Sequence, residues 1–397
     1  MSATPAARTY SAPADPTLSK PSRLLSLDLL RGATIAFMIL VNSPGDDAHA
    51  YWPLKHAVWN GFTPTDLVFP TFLLLVGVSL VLSTASRLAA GVSRRSIFLH
   101  ALRRTILLFL FGLLVNSFPF FHLATMRFYG VLPRIAICYF VATVIVLLTR
   151  DWRSKAAIAV LCLITYWVLM RYVRVPGYGL PGHDVPLLDP NGNLTAWIDR
   201  QLFTAPHLYE RTRDPEGLLS TLPAIGTVQM GVLTGIWIRT AHTLQQKARG
   251  IAIAGLSCVL LGGLWNLSFP INKKLWTSSF VLFAGGLTLL LFALSIWIID
   301  VRRKDEHDAH RSPGLLIPFF VFGTNAITAY VISELLSTVF DLILIHPKLS
   351  LGRWIFNNIH AVISDAAFAS LIYSLFYVAL CWIPVYVLYR KRIFLKV

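Results

Sequence analysis

The sequence predicts an all-α, polytopic transmembrane helix bundle of about ten spans with both termini cytoplasmic. Three observations predict it. Of 397 residues, 55% are hydrophobic, 12% aromatic and only 14% charged, with a mean hydropathy of +0.63, which excludes an ordinary soluble domain. Apolar windows of roughly 20 residues, long enough to cross a bilayer, recur along the whole chain. With the N-terminus placed inside, about two thirds of the 35 Lys and Arg fall in the cytoplasmic segments. The formal net charge of +16 is therefore read as topology, and no nucleic-acid partner is expected.

Residues 1–22, rich in Ala, Pro, Ser and Thr without a continuous apolar core, read as a disordered cytoplasmic tail and not as a cleaved signal peptide. Residues 23–397 then form the membrane domain. Spans are expected at 24–43, 65–86, 96–117, 130–149, 155–174, 219–239, 250–268, 275–299, 315–337 and 366–389. The longest outer loop, 175–218, carries the turn signals Pro176-Gly177-Tyr178-Gly179 and Asp189-Pro190-Asn191-Gly192, and is expected to cover the outer mouth of the bundle. Segment 338–365 is read as a re-entrant or interfacial helix. Cys138, Cys162, Cys258 and Cys381 lie inside apolar segments without metal-ligand spacing, so packing roles are expected and no metal. No internal repeat is evident, which favours an enzyme over an inverted-repeat transporter.

The densest chemistry lies at Lys55–Pro70, where a ring, an amide, hydroxyls and a carboxylate precede the second span. His56 faces outward in this topology. Thr63-Pro64-Thr65-Asp66 has the form of a helix start, with Thr63 as N-cap and Pro64 at the first position. Asp66 can serve as a capping carboxylate or as an orienting partner for the His56 imidazole. Asn42, at the end of the first span, can donate to a developing oxyanion or simply close the helix. Asp28 and Arg31 stand one turn apart and should pair, although Arg31 could also bind a phosphate. Arg134 enters an apolar helix and needs either a partner or a wet cavity. The outer turn around Asn272, Lys273 and Trp276 offers amides, an ammonium and aromatic faces, suited to a carbohydrate or to an interfacial belt. Asn325 and Glu334 sit within the ninth apolar segment, where an ionisable group suggests function. No P-loop, GxSxG, HExxH or dinucleotide fingerprint stands in a sensible context.

Several blocks together resemble the heparan-alpha-glucosaminide N-acetyltransferase family, including its bacterial NagX-type members. They are Ser26-Leu27-Asp28-Leu29-Leu30-Arg31-Gly32, Val41-Asn42, His56-Ala57-Val58-Trp59-Asn60-Gly61 with Asp66-Leu67-Val68-Phe69-Pro70, Pro270-Ile271-Asn272-Lys273 with Leu275-Trp276, and Gly323-Thr324-Asn325. The resemblance runs from about residue 23 to the C-terminus, and its specific part is the His56 block. It implies transfer of an acetyl group from cytoplasmic acetyl-CoA to the amine of a glucosamine-type sugar on the far side of a membrane. His56 and Asn42 match the family's catalytic His and Asn. Ser333 departs from the pattern, which has a His before Glu334, and this bears on the acceptor.

On this reading His56 is either a general base or an acyl nucleophile, with Asn42 and Asp66 as its catalytic companions. Trp59, Asn60, Arg134, Asn272, Lys273, Trp276 and Glu334 are expected at the acceptor. Arg31, Arg103, Arg104, Asn325 and Arg392 are expected at the donor. The partners expected are the lipid bilayer, that of a bacterial inner membrane, and a periplasmic amino-sugar or glycan acceptor; a homodimer is compatible. A sugar or muropeptide transporter without bond chemistry is the alternative.

Overall fold

The computed structural model describes residues 24–302 and 314–394; the tail at 1–22 lies outside the described residues. Among the described residues, nine helices are long and apolar enough to cross a membrane, and ten if one sharply bent pair counts as a single span. In chain order the elements are α1 (Leu25–Asn42), α2 (Val68–Ala89), α3 (Arg94–Ser117), α4 (Val131–Leu148), α5 (Trp152–Tyr172), α6 (Leu194–Leu202), α7 (Thr221–Ile238), α8 (Leu244–Trp265), α9 (Ser278–Ser295), α10 (Ile317–Thr324), α11 (Ala326–Leu342), α12 (Leu351–Val362) and α13 (Ala366–Arg390).

Two departures from the sequence reading have clear causes. The span expected at 250–268 begins six residues earlier, at Leu244, because a Thr243/Gln246 capping box starts the helix within a polar turn that hydropathy passes over. The span expected at 315–337 is broken: α10 and α11 meet at Asn325 with a bend of 91°. Non-helical backbone at membrane depth survives only inside protein, and Asn325 is 2% exposed, its amide donating to the Ile393 carbonyl at 3.2 Å. Segment 338–365 contains the end of α11, a short hairpin of Leu344–His346 with Leu349–Ser350, and the amphipathic α12. A re-entrant or interfacial helix is the expectation there; α12 buries Phe356 while exposing Trp354.

The core is built around α1, α2, α4, α7 and α9. α2 and α7 approach so closely that a Cβ at Gly77 would lie 2.1 Å from the Val228 carbonyl oxygen. α1 and α10 are seated in the same way: a Cβ at Gly323 would lie 2.0 Å from the Asp28 carbonyl oxygen. These contacts fix α1, α2 and α10 around one interior space. α3, α5 and α8 keep broad exposed apolar faces, including Leu110, Leu161 and Leu264. The apolar helices mark an integral membrane protein.

Candidate active site

His56 lies in the loop between α1 and α2, and the start of α2 holds it. Thr63 caps a 3₁₀ turn, Pro64–Leu67, that leads into α2, and Thr63 with Asp66 forms a full capping box. The two readings of Asp66 prove compatible, because its oxygens divide the work. Oδ2 accepts from the backbone N–H of Thr63 at 3.0 Å, from the N–H of Ala57 at 3.2 Å and from the Thr63 hydroxyl at 3.1 Å. Oδ1 accepts from His56 Nδ1 at 2.7 Å. A carboxylate only accepts, so Nδ1 carries the proton and the lone pair of the neutral imidazole sits on Nε2. Asp66 is 1% exposed, whereas the His56 side chain is 42% exposed.

Nε2 faces a second loop. Lys273 Nζ stands 3.4 Å from it, brought there by the turn that joins α8 to α9. That turn is locked to the His56 loop: Gly61 N–H donates to the Ile271 carbonyl at 2.8 Å, and the Asn272 amide donates to Asn60 Oδ1 at 3.1 Å. Asn272 also accepts from Leu275 N–H at 2.9 Å, so it is spent on architecture. The fully buried Trp276 donates its indole N–H to Thr227 and packs against Phe69 and the Arg134 guanidinium.

The long outer loop supplies the remaining polar wall. Arg127 grips Asp214 through two parallel bonds of 2.7 and 2.6 Å and also donates to Glu216. Arg134, 1% exposed, donates to the Gly217 carbonyl at 3.1 Å and to the Ser220 hydroxyl, which pins the segment carrying Glu216. Burial opposes the charge on Glu216, yet Arg127 and Arg134 hold its carboxyl below the usual range. Burial draws the Lys273 ammonium below its usual range, against the pull of Glu216 and Asp66. Behind this wall, burial pushes the Asp199 carboxyl up to about 7, although it accepts from Leu218 N–H at 3.1 Å.

Asn42, His56, Lys273, Glu216 and Tyr330 line one cavity of about 100 Å³ whose remaining wall is largely apolar. Asn42 closes α1, and its amide meets the half-buried carboxyl of Glu334. A second cavity of about 420 Å³ is lined by Arg31, Ser79, Arg87, His100, Arg104 and Asn325, among others. The two share Phe72, Ile135 and Ile327 as a common wall. One stripe of α2, with the 3₁₀ turn before it, runs past both: Thr65, Val68, Phe69 and Phe72 border the first, and Phe72, Val76, Ser79, Ser83 and Arg87 the second. From Val68 to Arg87 the helix rises roughly 29 Å, about the thickness of a hydrocarbon core.

The structure thus brings Asn42, His56, Asp66 and Lys273 together, with Glu334 behind Asn42. Arg31, Arg104 and Asn325 meet at the other cavity, where Arg31 reaches Asp28 at 3.2 Å and Ser79 at 2.6 Å. Trp59, Asn60, Arg134, Asn272 and Trp276 support the walls without lining the first cavity. Trp59 donates to the Leu188 carbonyl at 2.8 Å and lies under Arg213, which ties the outer loop over the His56 loop. Arg103 and Arg392 are exposed and line neither cavity; Arg392 lies in the turn beyond the end of α13. The sequence reading missed Glu216, Phe72, Ser79, Arg87 and His100. Only the i, i+4, i+8 recurrence of Ser79 and Ser83 with Arg87 along an apolar helix offered a signal.

The chain is similar to known proteins. A profile described as heparan-alpha-glucosaminide N-acetyltransferase, catalytic, matches residues 23–269. The human heparan-alpha-glucosaminide N-acetyltransferase is 30% identical over 95% of this chain and 60% of its own length. The mouse protein of the same name is 28% identical over 96% of this chain and 61% of its own length. The chain thus spans about three fifths of the length of these relatives. A profile match over most of the membrane bundle, reaching from α1 through the His56 loop to the end of α8, establishes the lineage: the chain belongs to the heparan-alpha-glucosaminide N-acetyltransferase family.

Proposed function

We propose that residues 23–397 form a transmembrane acyltransferase that passes an acetyl group from cytoplasmic acetyl-CoA to the amine of a glucosamine-type sugar on the opposite side. One observation carries this reading: a single face of α2 borders two adjoining cavities, one ending at arginines and the other at His56, over a bilayer's thickness. A transbilayer acyl transfer needs such a division. The donor's phosphates require cations at the cytoplasmic end, and Arg31, Arg87 and Arg104 border the larger cavity there. The acetyl thioester needs a narrow, dry passage to the acceptor, and Phe72, Ile135 and Ile327 form it.

At the acceptor end, the His56 tautomer set by Asp66 leaves Nε2 ready to take a proton from the attacking amine or to attack the thioester itself. Asn42, held by Glu334, offers its amide to the oxyanion that develops on the acetyl carbonyl. The basic loops support placing the donor end in the cytoplasm and His56 in the periplasm of a bacterial inner membrane. Purified protein given radiolabelled acetyl-CoA and glucosamine should yield labelled N-acetylglucosamine, and His56→Ala should abolish the product. Uptake of the sugar into liposomes without acetyl-CoA, and with no acetylation, would replace this reading with transport.

A further inference from the structure

The reaction proposed above leaves one proton without a named acceptor. A sugar amine near neutral pH is largely an ammonium with three N–H protons, and its acetylated product keeps one. Written out, R–NH3⁺ and acetyl–S–CoA give R–NH–acetyl, CoA–SH and H⁺. The nitrogen forms the N–C bond, the C–S bond breaks, and two protons leave nitrogen. One ends on the CoA sulfur. His56 has a single free site, Nε2, because Nδ1–H is committed to Asp66. It can carry that one proton and no more. The ammonium must shed the other before it has a lone pair with which to attack.

Resting on that reading, we infer that Lys273 is a second base, the group that removes the ammonium proton from the acceptor before His56 acts. Its Nζ lines the same cavity as His56 and Asn42 and stands 3.4 Å from His56 Nε2, so an amine nitrogen placed to reach one reaches both. Lys273 is half-buried and its contact with His56 lies at the exposed edge of the site, so its proton can return to water. The groups around it are His56 and Asp66 from the loop before α2, Glu216 from the outer loop, Arg134 from α4, and its neighbour Lys274. Glu216 and Asp66 favour the protonated lysine, while Arg134 and Lys274 oppose it. Lys274 itself is paired with Glu210 at 2.9 Å and is held away from the chemistry. Burial, the largest influence, favours the neutral amine that the role requires. The same step serves direct transfer and an acyl-histidine route, since both need a neutral acceptor amine.

The test is the pH profile of Lys273→Arg, whose guanidinium keeps the cation but cannot act as a base. With glucosamine at pH 6.5, its kcat/KM should fall about 100-fold. It should then climb toward the wild-type value as pH rises through the acceptor's own amine pKa. With hydroxylamine, already neutral at that pH, the deficit should shrink to a few-fold. A structural role predicts a uniform loss instead, so a Lys273→Arg profile parallel to wild type at every pH and with both amines overturns the inference. Unchanged activity overturns it as well. Wild-type protein that acetylates no amine overturns the acetyltransferase reading and this inference together, whereas an active wild type with a parallel variant profile overturns the inference alone.

Discussion

Asp66→Asn is the most informative single change near His56, because it separates the capping function of that residue from its control of the imidazole. Two backbone N–H groups, at 3.0 and 3.2 Å, and the Thr63 hydroxyl, at 3.1 Å and shared with the Lys55 carbonyl at 2.6 Å, converge on Oδ2, and one donor meets Oδ1 at 2.7 Å. An asparagine has one acceptor oxygen, and two fixed backbone N–H donors outweigh one imidazole, so that oxygen stays with Thr63 and Ala57. The amide nitrogen then faces His56 Nδ1, and as a donor it forces Nδ1 to become the acceptor. The imidazole proton moves to Nε2 and the lone pair leaves the cavity. Losing a positioned base or nucleophile costs about 10²–10⁴ in rate, or roughly 3–5 kcal/mol of transition-state stabilisation. The cap survives, so stability should fall by only about 1 kcal/mol. Asp66→Ala should lose the cap as well and unfold at a distinctly lower temperature. Steady-state acetyl transfer read beside thermal melting in detergent tests this, and nitrogen NMR of labelled His56 reports the tautomer directly. An Asp66→Asn protein with more than a tenth of the wild-type kcat would refute the tautomer argument.

Other expectations are independent of that one. Phe72→Trp narrows the wall shared by the two cavities and should lower acetyl transfer by about 100-fold through misplacement of the thioester, with melting near wild type; steady-state kinetics decide it. Gly323→Ala places a methyl 2.0 Å from the Asp28 carbonyl oxygen and should cost about 2 kcal/mol or more, read as a lower melting temperature. Asp199 has its folded pKa raised to about 7 by burial, so the folded state holds a proton that the unfolded chain has lost above about pH 4. Stability should therefore fall as pH rises from about 4 to about 7, by at most ~4 kcal/mol from this group, and level off above. Asp199→Asn should remove that slope and melt above wild type at pH 8, with the difference vanishing below pH 4.

Much of the bundle was legible because apolar runs and basic loops are local signals. The Thr63-Pro64-Thr65-Asp66 helix start, the Asp28–Arg31 pair and the proximity of Asn42, His56 and Asp66 all lie within short stretches that propensity can read. Asp66 could not be resolved between two roles, since pattern alone does not say that one carboxylate divides its oxygens between them. The bend at Asn325 was invisible because apolar residues continue on both sides of it, and hydropathy carries no direction. Glu216 and Lys273 reach the cavity from loops far apart in sequence. Nothing in Arg213-Asp214-Pro215-Glu216 separates a solvated acidic turn from one drawn inward by Arg127 and Arg134. Arg103 and Arg392 show the converse, since charge near the right end of a helix does not say whether it lines a cavity.

The central claim is that one chain conducts an acetyl group between two compartments. It is tested most directly in sealed proteoliposomes of uniform orientation, with labelled acetyl-CoA confined to the side of the arginine cavity and glucosamine to the side of His56. The account predicts labelled N-acetylglucosamine on the His56 side while CoA stays where it was supplied. Product formed only when donor and acceptor share a compartment would contradict it.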